Sequence, residues 1–303
     1  MDLNLFRAFD SIYRSGSLTE AAKELHITQP AVSNSLARLR EHFHDPLFER
    51  HGRGIQPTSL AHEIANDIAG ALLTLQSTAK RGQTFDKETS HRKFVLSLLE
   101  PLELPLLPEL VRQLRSEAPN VRLQSLRIGR DDLVRHLSSG DVDIVVDVPQ
   151  RVAAGIANEP ILTDEMCVVM RKGHAASKTT WGIEAYLQAM HIAVSRRNHG
   201  SVYEDFELER LGHYRDVVLR GNSYHSACHI AARTDLILTL PRFLARHYQA
   251  LMPLHCRRVP FRLPPVSVMM YWHRSQERDT AHNWLRQQLR RQADKVAQSW
   301  PQD

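Results

Sequence analysis

The chain has 303 residues, 42% of them hydrophobic and 24% charged, which gives room for two or three packed domains and excludes a disordered polymer. Its three cysteines, Cys167, Cys228 and Cys256, are widely spaced and form no CxxC pair, which excludes a disulfide framework and a thiolate zinc module. The net charge of +5 does not locate a nucleic-acid site, because residues 1–58 balance 7 basic against 7 acidic side chains while residues 175–303 hold 18 against 11.

Leu5, Phe6, Phe9 and Ile12 recur at helical spacing and predict a first helix that stops at Gly16. Ser17-Leu18-Thr19-Glu20 is a capping-box pattern, in which the Ser and Glu side chains each satisfy a free backbone N–H of a second helix. Leu18, Ala21, Ala22 and Leu25 form the apolar face of that helix. After a break at His26-Ile27, Thr28 is the expected N-cap of a third helix, with Pro30 in its first turn. Val32, Leu36, Leu39 and Phe43 point inward there, while Gln29, Ser33, Asn34 and Arg38 fall on its other sides.

Two short helices joined by a tight turn, the second opening with small polar groups, predict a helix-turn-helix. Gln and Asn pair bidentately with adenine, Arg with guanine, and Ser with base edges or phosphate. Pro30 and Ala31 offer apolar contact to a thymine methyl, and residues 28–40 hold two arginines and no acid. A helical bundle with a merely polar face would carry the same caps.

Residues 45–58 predict a strand, a turn at Gly52 and Gly54, and a returning strand, a wing with Arg50 and Arg53 near its tip to hold the sugar-phosphate backbone. Thr58 then caps a long helix whose Leu60, Ile64, Ile68, Ala71, Leu72, Leu75 and Ala79 repeat every three or four residues. Such a stripe suits packing on its own domain or pairing with a second copy. A polar hinge follows at 82–91. Beyond it, strands over 94–99, 121–128, 143–148, 167–170, 191–195, 217–219 and 236–240 alternate with helices, which predicts sheets flanked by helices. The chain leaves the first sheet near Thr163 and returns near Val266, giving two lobes and a cleft. Ligands of such sheets bind beyond the carboxyl ends of strands, so the candidate ligand-binding residues are Leu99, Glu100, Gly129, Arg130, His199, Gly200, Ser201, Asn222, Ser223 and Tyr224.

Residues 18–58 resemble a LysR-type transcriptional regulator. The resemblance is carried by Thr28-Gln29-Pro30-Ala31-Val32-Ser33 followed by Leu36, Leu39, Leu47-Phe48 and Arg50, and the rest of the chain has that family's length and domain order. Tyr271-Trp272-His273 and Asp279 followed by Trp284-Leu285-Arg286 resemble the branch of nodulation activators and aromatic-compound sensors. The resemblance implies an α+β multidomain fold: a winged helix-turn-helix at 1–58, a long linker helix at 59–81, a hinge at 82–91, and a two-lobed α/β effector-binding domain of periplasmic-binding-protein type at 92–303. Its first lobe would comprise 92–163 and 266–303, its second 164–265. The DNA-binding residues implied are Thr28, Gln29, Pro30, Ser33, Asn34, Arg38, Arg50 and Arg53. The implied partners are double-stranded DNA, a small-molecule effector, a second copy through the linker helix, a tetramer of such dimers, and RNA polymerase. Many relatives carry Ser or Thr where Leu99 stands, to hold an effector carboxylate; Leu99 and Glu100 point instead to a neutral or cationic ligand.

Other chemistries fare worse. His225 and His229 lie four apart beside Cys228, but Ser226 stands where a zincin motif needs Glu, and no metal is expected. No GxSxG, P-loop or GxGxxG occurs, and Asn198-His199-Gly200-Ser201 puts a histidine beside a serine without an orienting acid, so neither an enzyme nor a cofactor is expected. A solute-binding module without DNA activity would share the two-lobed plan, but not the first 58 residues. MDLNLFRAFD has no basic-then-apolar leader, and no apolar run approaches the roughly 20 residues of a membrane helix, so the expected location is cytoplasmic.

Overall fold

The computed structural model describes residues 2–51, 54–79, 85–178, 180–195 and 200–298. It opens with three helices, α1 (Leu3–Ser15), α2 (Leu18–Leu25) and α3 (Gln29–Phe43). Helix α1 ends because Gly16 adopts φ +62° and closes its N–H onto the Ile12 carbonyl. Ser17 caps α2 by accepting from the Glu20 N–H, but the other half of the expected capping box is absent. The Ser17 N–H donates to Ser15 Oγ, and the Glu20 carboxylate takes the Lys23 ammonium one turn on, a charged partner in place of an amide. Phe9, Ile12, Ala21, Val32, Leu36 and Leu39 close a small core, in which the alanines let the helices approach. Strands β1 (Phe48–His51) and β2 (Gly54–Pro57) pair antiparallel, with His51 opposite Gly54.

Thr58 Oγ1 then accepts from the Ala61 N–H and starts α4 (Ser59–Ala79). The apolar stripe of α4 divides. Ala61, Ala65, Ile68, Ala69 and Leu73 are buried against the chain's own core, while Leu60, Ile64 and Leu72 are half-buried and Ala71, Leu75 and Ala79 are exposed.

The remainder forms two five-stranded mixed sheets. The first lobe contains β3 (Lys93–Leu98), α5 (Glu100–Glu117), β4 (Arg122–Ser125), α6 (Leu133–Ser139), β5 (Ile144–Asp147) and β6 (Ile156–Asp164). The second contains β7 (Met166–Arg171), α7 (Ile183–Leu187), β8 (Met190–Val194), α8 (Tyr203–Arg210), β9 (Asp216–Gly221), α9 (Tyr224–Ala231), β10 (Leu236–Pro241), α10 (Arg242–Leu251) and β11 (Leu254–Arg258). The chain then returns to the first sheet as β12 (Val266–His273) and ends in α11 (Thr280–Gln298). The sheet orders are β4-β3-β5-β12-β6 and β11-β7-β10-β8-β9. The outgoing and returning strands run side by side in both sheets, Asp164 facing Val266 and Cys167 facing Arg258.

Two edge strands, β6 and β11, are absent from the sequence reading. Strand β6 contains Pro160, which pairs with Met269 at a register shift on the sheet margin, where its missing N–H breaks no central ladder. Strand β4 covers only part of the expected 121–128 run.

The N-terminal unit is seated on the first lobe. Arg14 Nη1 lies 3.6 Å from Asp141 Oδ1, in the turn after α6, and also pairs with Asp10 and Glu24. A side chain at Gly140 would begin 2.9 Å from Leu73 Cδ1, and Gly70 and Gly155 leave room for the His273 imidazole. Among the described residues no helix is long and apolar enough to cross a membrane.

Candidate functional site

The first candidate surface is built on α3. Thr28 Oγ1 accepts from the Ala31 N–H, which fixes where the helix begins, and Pro30 occupies its first turn at no hydrogen-bonding cost. With Val32, Leu36 and Leu39 buried, the face turned to solvent carries Pro30, Asn34, Ala37, Arg38 and Glu41. Gln29 and Ser33 sit on its margin: Ser33 is half-buried and its hydroxyl accepts from Gln29 Nε2 at 3.2 Å. Arg50 is exposed on β1, the strand whose first residue, Phe48, is bonded to Arg40 of this helix. Arg53 and His199 lie outside the described residues.

One of the two arginines counted along 28–40 is otherwise engaged. Arg40 donates from Nε to the Pro46 carbonyl and from Nη2 to the Phe48 carbonyl, both at 2.7 Å. Asp45 works on the other side of the same turn: its Oδ1 accepts from the Leu47 N–H at 2.6 Å and from Thr58 Oγ1 at 2.7 Å. Neither Arg40 nor Asp45 was singled out by sequence, although an Asp-Pro turn between a helix and a strand is a local signal for such bonding.

The second candidate surface is a shallow pocket, open to solvent, at the carboxyl ends of β3 and β5, with a cavity volume of about 10 Å³. Leu99 and Arg130 both line it, together with Ser97, Arg127, Leu133 and Asp147. Arg130 Nε donates to Asp147 Oδ2 at 3.2 Å, and the other carboxylate oxygen accepts from the Val148 N–H. Asp147 is nearly buried while Arg127 and Arg130 stand exposed at the rim. Glu100 opens α5 next to the pocket without lining it. Asp147 closes β5 and so shares the strand-end position of the sequence candidates, although it is not one of them.

The second-lobe candidates lie at the ends of β8 and β9 and do not line this pocket. Gly200 has φ +93°, and Ser201 Oγ is taken up by Glu209 at 2.7 Å. Asn222 is exposed, Ser223 starts α9 without a side-chain cap bond, and Tyr224 is half-buried. Burial, with the negative charges of Glu204 and Glu100 behind it, raises the Tyr224 phenol far above its usual range. His225 and His229 have ring centroids 4.7 Å apart, but His229 Nδ1 is met by Arg233 Nη1 at 2.9 Å. Among the described residues no group of three His, Cys, Asp or Glu side chains could hold a metal ion.

Residues 3–62 match the family model described as the bacterial regulatory helix-turn-helix protein, lysR family, and residues 87–294 match the LysR substrate binding domain. The chain belongs to the LysR family. The transcriptional activator NahR of Pseudomonas putida is 31% identical to it over 287 residues, covering 95% of this chain and 96% of NahR. Nodulation protein D 1 of Bradyrhizobium diazoefficiens is 31% identical over 304 residues, covering 98% and 95%. Among solved structures, the probable transcriptional regulator PA0477 of Pseudomonas aeruginosa superposes with a TM-score of 0.63 at 35% identity, covering 95% of this chain and 96% of that one. This LysR-family protein is therefore a transcriptional regulator that binds DNA through its helix-turn-helix and responds to a small-molecule effector through its substrate-binding domain. The winged helix and two-lobed α/β architecture expected from sequence are those of the family, and a nodulation protein is among its relatives. Its relatives are regulators rather than enzymes.

Proposed function

We propose that α3 enters the major groove with Asn34 and Arg38 toward base edges, Gln29 and Ser33 at the margin, and Thr28 and Pro30 at the leading end. Arg50 and Arg53 hold phosphates from the wing. The observation that supports this reading most is the polar, exposed face of α3, with Arg50 exposed on the strand that Arg40 ties to that helix. Two chains pair through the open flank of α4, so that two helices read half-sites about one helical turn apart, and two such dimers form the tetramer. The regulator works in the cytoplasm, where its DNA-bound form meets RNA polymerase. The domain bounds 1–58, 59–81, 82–91 and 92–303 belong to the same reading.

The test is a gel shift with DNA from upstream of the protein's own gene. Asn34→Ala and Arg38→Ala each cost about 1–3 kcal/mol and relax preference at one base position. Equal losses on all sequences would remove both residues from base reading.

The effector site is the first-lobe pocket. Arg127 and Arg130 at its rim favour a ligand with an anionic or acceptor end, which reverses the charge expected from Leu99 and Glu100. Thermal-shift titration with aromatic carboxylates, and with the matching amides and amines, tests this. Stabilisation by the acids supports the reading, and stabilisation by amines alone overturns it. An Arg130→Ala variant should lose the shift.

A further inference from the structure

The turn between α3 and the wing is tied from both sides. Arg40, in the last turn of α3, spans two carbonyls of the Pro46–Phe48 segment with one guanidinium. Leu47, between those carbonyls, is fully buried at φ +58°, a backbone conformation that L side chains rarely adopt, so the turn does not hold itself. On the far side, Asp45 bonds the Leu47 N–H and the Thr58 hydroxyl, the Thr58 N–H donates to the Leu47 carbonyl at 2.9 Å, and Thr58 Oγ1 starts α4. Recognition helix, wing and linker helix thus meet at three residues of chain.

We infer that Arg40 is a positioning residue for DNA binding: it touches no base or phosphate, but fixes the first wing strand so that Arg50 meets a phosphate while α3 is seated in the groove. The Phe48 carbonyl that Arg40 grips is two residues from Arg50 on the same strand. The planar guanidinium fork suits this role because it bridges two acceptors at once, whereas a lysine ammonium is a single point charge. Arg40 therefore leaves the set of charges that sequence alone assigns to DNA. The inference rests on the proposed role of Arg50 as a phosphate contact.

The experiment measures affinity for DNA from upstream of the protein's own gene across a salt series, using the whole chain with Arg50→Ala, Arg40→Ala, Arg40→Lys and the Arg40→Ala/Arg50→Ala pair. Removing one phosphate-bound cation lowers the slope of log affinity against log salt by about 0.9. Arg50→Ala is expected to lower that slope. Arg40→Ala is expected to weaken binding roughly tenfold, the scale of one charge-assisted hydrogen bond, with the same slope as Arg50→Ala. The double variant should match Arg50→Ala in slope, since Arg50 no longer reaches its phosphate in either single variant, and Arg40→Lys should behave like Arg40→Ala. Arg40→Lys also keeps the test alive if the alanine variant fails to fold, which circular dichroism at the assay temperature reports.

A double variant whose slope falls by both increments, or an Arg40→Lys variant with wild-type affinity, makes Arg40 a phosphate contact and overturns the inference alone. Wild-type affinity for Arg40→Ala also overturns it. An Arg50→Ala variant with unchanged affinity and slope instead overturns the phosphate role of Arg50, and the route through it falls with it.

Discussion

His282 has no exposed surface; its Nε2–H donates to the Asp143 carbonyl at 3.0 Å, and its Nδ1 has no partner among the described residues. Burial pushes its pKa down to about 4. His191 is equally enclosed and is also held down to about 4, first by burial and then by the Arg215 guanidinium beside Nδ1. Both imidazoles are neutral in the folded protein at pH values where the unfolded chain is already protonated. Stability from these two groups is therefore complete above about pH 6.5 and is lost as pH falls toward 4. Between pH 7 and pH 5 each should cost about 2 kcal/mol of unfolding free energy. Urea titrations at the two pH values check this, with His282→Gln expected to show a correspondingly smaller drop; an equal drop would place the pH dependence elsewhere. A histidine in a sequence says nothing of its burial, so neither residue could be singled out before the fold was known. Asn34 and Arg38 were legible for the opposite reason: a capped helix with one apolar face leaves only the remaining face for contact.

At the scale of elements, what was readable was local. Helices α1 to α3 announce themselves by caps, a stop glycine and a 3.6-residue period, all set within a dozen residues of chain. Strand β6 could not be read that way, because Ile156–Asp164 mixes a proline with acids and becomes a strand only when β12 arrives beside it. Pocket residues such as Arg127 and Asp147 depend likewise on two strands that pair over long sequence distances. Helix α4 lies between these cases, since its stripe was plain but its division was not. One flank is consumed by the chain's own core, and Leu75, 48% exposed, stands on the other. If two chains pair through this flank as proposed, Leu75→Arg should leave the N-terminal core folded while moving the protein from dimer toward monomer in sedimentation velocity. It should also weaken DNA binding, because two half-sites are then no longer gripped together. A dimer that survives the change would place the pairing surface elsewhere.

Across the whole molecule, the DNA-binding unit and the first lobe meet at a tight seam. Gly140 contributes to it twice, by a φ of +74° and by its clearance from Leu73. Gly140→Ala should strain the turn and push Leu73 away, costing about 1–2 kcal/mol from the left-handed backbone alone. Hydrogen exchange should then rise in α4 around Leu73 and in α6 together, whereas a rise confined to α6 would mean that the seam does not depend on this contact. The two crossings between sheets have a different kind of consequence, in the order of manufacture. Strand β12 fills the gap between β5 and β6, yet it is translated only after the whole second lobe. During synthesis the second lobe can close upon itself while the first waits with bare strand edges. A nascent chain stalled before residue 266 would expose those edges to its neighbours on a polysome, the situation in which strands pair with the wrong partner. Speed through the codons of β12, and chaperone cover until they are read, should therefore matter for the yield of this protein.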